Sequence, residues 1–181
     1  MGSSRVVALL RGINVAGKNM VPMPELVSAL EKAGHSAVET YIQSGNVFFE
    51  TEAPRADVER AVEEVIRARF KLTIPTIVRT AADWKKLCTG APFQEARAAR
   101  PKFLHVGLSK SKLDAKVVET LMGRATTERV EVHRDALFID FAEGAGRSKL
   151  TPAVIDKASG SHVTLRNWNT TMEVARRLGV G

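Results

Sequence analysis

A chain of 181 residues with 44% hydrophobic and 26% charged residues has globular composition and is long enough to bury roughly 70% of its unfolded surface, which argues against disorder. No apolar run approaches the roughly 18–20 residues of a membrane span, and Val6–Leu10 runs straight into Arg11 without a secretory cleavage pattern. The one cysteine, Cys88, has no internal disulfide partner, so a reducing, cytoplasmic setting is expected.

In chain order, Met1–Ser4 carries no pattern, and the short apolar run Val6–Leu10 predicts a buried strand. A glycine-bearing loop, Arg11 to Val21, follows. Pro22 and Pro24 then open a helix with Leu26, Ala29, Leu30 and Ala33 on one face and Gly34 as its stop. Alternation in Val38–Gln43 and Asn46–Thr51 predicts a hairpin with Ser44-Gly45 as a two-residue turn. That register puts Val38, Thr40, Ile42, Val47 and Phe49 on the core face, and Tyr41, Gln43, Asn46 and Phe48 on the other. A helix is predicted over Arg55–Phe70 and a strand over Thr73–Arg79. Pro75 assigns that strand to a sheet edge.

After a connecting helix near Ala82–Cys88, the order returns. Strand Phe103–Leu108, helix Leu113–Met122, and a hairpin of Val130–His133 and Leu137–Phe141 come first. Helix Thr151–Ala158, strand His162–Leu165 and a last helix from Trp168 to Leu178 complete it. The expected fold is therefore α+β: two consecutive ferredoxin-like βαββαβ halves, residues 1–80 and 81–181, with an added C-terminal helix. No close residue-level repeat relates the halves.

The charge is uneven. The net is +7, with 10 Lys/Arg against 9 Asp/Glu in residues 1–80 and 17 against 11 in residues 81–181. The densest basic stretch is Arg97, Arg100, Lys102, Lys110, Lys112 and Lys116, a field that attracts phosphate and nucleic acid and equally serves solubility. Metal and catalytic chemistry find little support. His35, His105, His133 and His162 are scattered, Cys88 reads as a packed thiol, and Glu63-Glu64 reads as a solvated helix face.

Gly12-Ile-Asn-Val-Ala-Gly17-Lys18-Asn19 nearly spells a phosphate-binding P-loop. Asn19 replaces the magnesium-holding hydroxyl, and Pro22 and Pro24 would break a helix begun at Gly17-Lys18, so a nucleotide triphosphatase is disfavoured. Arg11, Asn14, Lys18 and Asn19 still gather on a loop ahead of a helix N-terminus, where cations and backbone N–H groups favour an anion. The alternative is that these groups serve only the loop's own geometry. Gly144-Ala-Gly146-Arg147-Ser148-Lys149 is a second basic loop. Asn167 is placed to cap the last helix, with Trp168, Met172, Ala175 and Leu178 on one face and Arg166 just before it.

Ala8-Leu9-Leu10-Arg11-Gly12-Ile13-Asn14-Val15, Gly17-Lys18-Asn19, Pro22-Met23, Thr40-Tyr41-Ile42-Gln43-Ser44-Gly45-Asn46-Val47, Ser148-Lys149-Leu150 and Arg166-Asn167-Trp168-Asn169-Thr170 resemble the bacterial domain-of-unknown-function family 1697. Ala16 departs from that family's second loop glycine. The resemblance implies a ferredoxin-like build and no activity. It groups Arg11, Asn14, Lys18, Tyr41, Gln43, Ser44, Asn46, Lys149, Arg166 and Asn167 inside the family's motif strings. The expected function is binding of a small phosphate- or carboxylate-bearing ligand between the Arg11–Asn19 loop and the Gln43–Asn46 turn, with Lys149 or Arg166 supplied by the second half. The alternatives are a non-specific nucleic-acid-binding module and a structural or oligomerisation module.

Overall fold

The computed structural model describes residues 3–181, and Met1 and Gly2 lie outside the described residues. The chain divides into two compact units. The first runs as far as Trp84 and includes Leu178–Val180, and the second comprises Lys85–Arg177 with Gly181. The first holds β1 (Ser4–Leu10), α1 (Met23–Lys32), β2 (Ser36–Tyr41), β3 (Asn46–Thr51), α2 (Arg55–Phe70), β4 (Thr76–Thr80) and the start of α3 (Ala81–Cys88). The second contains α4 (Gln94–Ala99), β5 (Leu104–Ser109), α5 (Ala115–Met122), β6 (Arg129–His133), β7 (Ala136–Asp140), α6 (Pro152–Ser159), β8 (Val163–Asn167) and α7 (Trp168–Arg177). Both units carry the expected βαββαβ order. Helix α4 lies in a stretch that reads as merely polar in the sequence.

Each unit has one four-stranded antiparallel sheet, ordered β2-β3-β1-β4 and β6-β7-β5-β8. In the first, Leu26 and Leu30 of α1 and Val58, Val62 and Ile66 of α2 pack on Val6, Ala8, Leu10, Val47, Phe49 and Val78. Burying such aliphatic side chains is the main favourable term available to a unit of this size. The opposite sheet face is closed as well, with Val7, Leu9, Phe48 and Ile77 all buried. In the second unit, Leu113, Val117, Leu121, Leu137, Ile139, Ile155 and Val163 form the matching core. Gly107 of β5 lies so close under Val163 and Leu165 that a Cβ there would stand 2.8 Å from Val163 Cγ1.

The fourth strand is an edge in both sheets, and Pro75 sits immediately before β4, where its carbonyl accepts from Arg11 N at 3.0 Å. An edge strand leaves alternate N–H groups without strand partners. Here carboxylates answer them. Thr76 N donates to Glu63 Oε1 at 2.8 Å, Val78 N to Glu59 Oε1 at 2.9 Å, and Thr80 N to Asp83 Oδ2 at 3.2 Å. On β8, Val163 N donates to Asp156 Oδ1 at 2.9 Å.

The two sheets share a register signature. Val7 of β1 stands between Phe48 on β3 and Arg79 on β4, and Val106 of β5 stands between Phe138 on β7 and Arg166 on β8. Both arginines are buried, and each turns a guanidinium N–H back to the carbonyl of its preceding residue, Val78 or Leu165. The next residue in each case ends the strand and caps the following helix: Asp83 N donates to Thr80 Oγ1 and Thr170 N to Asn167 Oδ1. The cap expected of Asn167 is thus made. Met172, expected on the buried face with Trp168, is 39% exposed, and Thr171 and Val174 are buried instead.

Candidate functional site

The Arg11–Val21 loop does not form a phosphate-wrapping crest. It folds back on itself: Asn14 N donates to Asn19 O at 3.1 Å and Lys18 N to Val15 O at 2.9 Å, with Val15 and Lys18 bridged in antiparallel fashion. Ala16 and Gly17 make the two-residue turn, both at positive φ, 48° and 73°, the conformation that a primed hairpin turn demands. The resulting miniature hairpin separates Lys18 from the first residue of α1, Met23, so the loop lacks P-loop geometry, in line with the expectation from Asn19, Pro22 and Pro24. Of the loop's backbone N–H groups, those of Asn14, Lys18 and Val21 are bonded within the loop.

Asn14 is the centre of the arrangement. Its Oδ1 accepts from Val21 N at 2.8 Å, while its Nδ2 donates to Val21 O at 3.0 Å and to Gln43 O at 2.9 Å. One amide therefore closes the base of the loop and ties it to the β2–β3 turn. Asn19 Nδ2 donates to Gly12 O at 2.9 Å. Both asparagines have left-handed backbone, which their short amides tolerate better than most side chains.

The β2–β3 turn differs from expectation. Tyr41 pairs with Asn46, Thr40 with Val47 and Glu39 with Phe48, so the loop is the four residues Ile42–Gly45 and the register is shifted by two from a Ser44-Gly45 turn. Ile42, expected in the core, is 48% exposed at φ 51°. Gln43 moves from the sheet face into the loop. The cause lies beneath the turn. Gly45 has φ 78° and rests on β1, where an added Cβ would stand 2.7 Å from Leu10 Cβ and 2.8 Å from Ile13 Cδ1, while its carbonyl accepts from Leu10 N at 2.8 Å. Asn46, fully buried, donates from Nδ2 to Tyr41 O at 3.0 Å and to Ser44 Oγ at 3.2 Å, closing the loop from within. Beyond it, Ala37 at φ 52° marks the irregularity in β2 between Ser36 and Glu39.

The sequence-derived residues thus separate by task. Asn14, Asn19 and Asn46 hold backbone, and Ser44 Oγ accepts from Asn46. Lys18 and Gln43 are exposed, and Arg11 and Tyr41 are half-buried. Lys149 and Arg166 belong to the second unit, where Lys149 is exposed and Arg166 is buried. Arg166 donates to Thr164 Oγ1 and Leu165 O, both at 2.9 Å, and burial draws its pKa down to about 10, which leaves it charged near neutrality. Ser148 donates to the Glu128 carboxylate, which also accepts from Thr126 N and Thr127 N. What the sequence reading missed is apolar: Val15 and Met20 are each 60% exposed. An Ala-Gly pair is not among the strong turn dipeptides, so nothing in the residues announced the small hairpin that lifts Val15 outward.

Cys88 is half-buried, and burial pushes its thiol up to about 11, which makes it a poor nucleophile. Among the described residues no cluster of His, Cys, Asp or Glu is arranged to hold a metal ion, and no helix is long and apolar enough to cross a membrane.

The fold and this loop cluster define a class: an α+β protein of two βαββαβ units with a polar, backbone-locked turn region at one end of its first sheet. The chain belongs to the family described as protein of unknown function (DUF1697), whose match spans residues 3–138. Ser148–Leu150 and Arg166–Thr170 lie beyond that span. Among solved structures, the conserved bacterial protein SP0830 from Streptococcus pneumoniae is similar in fold, with a TM-score of 0.77 at 23% identity, over 98% of this chain and 99% of that one. No curated protein matches the sequence.

Proposed function

We propose that the first unit binds a small anionic ligand, bearing phosphate or carboxylate, on the Arg11–Asn19 loop beside the Ile42–Gly45 turn. The observation that carries the reading is the Asn14 clamp, which fixes two loops together in a region holding Arg11 and Lys18 and no carboxylate from Leu10 to Pro24 or from Thr40 to Phe49. Backbone already fixed beneath the cations lowers the entropic cost of binding an anion there. Side chains, rather than a nest of backbone N–H groups, supply the attraction.

Lys102, Lys110, Lys112 and Lys116 are exposed, but two observations weigh against the nucleic-acid alternative. Phe48, the aromatic that would stack a base, is fully buried. Of the basic stretch, Arg100 is bonded to Asp140, at 3.1 Å through Nε and 2.6 Å through Nη2, and Arg97 lies over the Trp168 ring at 5.6 Å.

Thermal denaturation against inorganic phosphate, sugar phosphates, nucleotides and carboxylates tests the proposal. A ligand at a hundredfold excess over its Kd stabilises by about 2.7 kcal/mol, roughly 5–10 °C for a chain of this length. Lys18→Ala and Arg11→Ala each remove a charge-assisted contact worth about 1.5–3 kcal/mol and are expected to abolish most of the shift. A shift that survives both substitutions, or none with any anion, overturns the proposal.

A further inference from the structure

Exposed apolar side chains are concentrated at this same site. The large hydrophobic residues exposed among the described residues are Val15, Met20, Ile42, Met122 and Met172. The first three lie on the two loops that Asn14 ties together, and the other two stand singly, at the end of α5 and on α7. Scattered exposed apolar residues need no explanation, but a cluster marks a recognition surface.

The cluster is also mixed with charge in a defined way. Val15 and Lys18 are antiparallel bridge partners, and directly opposed residues of such a pair hold their Cβ atoms only about 4.5–5.5 Å apart. An isopropyl group and an ammonium therefore stand side by side, with Met20 two residues further along. Ile42 takes a left-handed backbone that is a true outlier for a β-branched residue. Resting on the anion reading above, we infer that the ligand is amphipathic: its phosphate or carboxylate meets Lys18 and Arg11, and an aliphatic body covers Val15, Met20 and Ile42.

Charge complementarity and rigidity fix the kind of occupant. The surface is locally basic, yet it offers two cations, Arg11 and Lys18, fewer than the roughly four to eight clustered cations that draw a protein onto an anionic bilayer. The Asn14, Asn19 and Leu10–Gly45 hydrogen bonds hold the apolar groups in one arrangement. A fixed arrangement of this extent suits a monomeric amphiphile.

Calorimetric titration with inorganic phosphate, butyl phosphate and hexyl phosphate, each below its micellar concentration, and with vesicles containing an anionic phospholipid, tests the inference. Affinity is expected to rise about tenfold or more from inorganic to hexyl phosphate, since each methylene covered on a half-open surface contributes about twofold. That ratio is expected to fall towards one in Met20→Ser and in Ile42→Asn, the latter a residue that accepts left-handed backbone. Lys18→Ala is expected to weaken all three phosphates together. Phosphates that bind equally well overturn the inference and leave the anion reading standing. A ratio that persists in both apolar variants places the alkyl chain elsewhere and overturns it. Binding to vesicles without binding to monomeric hexyl phosphate overturns it in favour of a lipid surface. If no phosphate binds at all, the inference is overturned, and the anion reading falls with it only when the carboxylates of the thermal screen also fail to bind.

Discussion

Gly45 and Ala16 both sit at positive φ, and only one of them lacks the side chain that such backbone penalises. Left-handed backbone costs an L-residue roughly 1–2 kcal/mol. At Gly45 an added methyl would also press on Leu10 and Ile13, so Gly45→Ala is expected to lose about 2–4 kcal/mol. At Ala16 the sign reverses. Ala16→Gly relieves the left-handed penalty and returns about 0.5–1 kcal/mol as unfolded-chain entropy, for a net gain of up to about 1 kcal/mol. Urea denaturation of the two variants checks both signs, and equal midpoints would contradict the loop geometry. The same positions show what a residue string conceals. Gln43-Ser44-Gly45-Asn46 reads naturally as a two-residue turn, and only the contact of Gly45 with β1 selects the four-residue loop that expels Ile42.

Helix α2 shows how an element acquires a task that its periodicity does not express. Its apolar positions Val58, Val62 and Ile66 were readable from spacing alone, and its bounds match the expected Arg55–Phe70. Its carboxylates were not readable. Glu63 reads as part of a solvated face, yet it and Glu59 accept the edge N–H groups of Thr76 and Val78. Glu59→Ala leaves the buried Val78 N–H unanswered and is expected to cost about 1–3 kcal/mol, whereas Glu59→Gln keeps a carbonyl acceptor and recovers most of that. Equal melting temperatures for the alanine and glutamine variants would show that packing, not hydrogen bonding, is the role of the side chain.

At the scale of the whole molecule, four carboxylates of the second unit are held below their ordinary range. Burial alone would raise Asp140, but hydrogen bonds from Arg100 and Arg129 outweigh it. Burial opposes Glu128 too, yet hydrogen bonds from Ser148 and backbone N–H groups bring it to about 2. The Arg176 hydrogen bond brings Glu173 to about 2, and that from Arg129 lowers Glu95. A depressed folded-state pKa gives stability that is complete above the unfolded value near 4 and is lost as pH falls through the folded one. His35 and His105, lowered by burial, add an acid cost to each unit below about pH 6.5. Between pH 4 and 2, hydrogen exchange is expected to show the β5–β8 amides losing protection as these four carboxylates protonate, and protection that holds unchanged across that window would refute this assignment. The duplicated architecture was legible as element order, because the strand and helix periods recur. Its residue-level trace was not, because Val7 and Val106 are 99 positions apart, Phe48 and Phe138 are 90, and Arg79 and Arg166 are 87. A repeat whose spacing drifts gives no signal at any fixed period, and only hydrogen-bonded register aligns it.

The carboxylates along β4 bear on polymerisation. A fibre grows when an incoming strand finds unanswered N–H groups, and the first sheet offers few on that side. Its other margin, β2, is broken by the irregularity between Ser36 and Glu39, which spoils a straight template. Templated growth from the folded unit along β4 must therefore wait for α2 to lift and withdraw Glu59 and Glu63. Nucleation along the Thr76–Val78 part of that edge then carries an energetic threshold equal to undocking a helix, set by two side chains that face the strand.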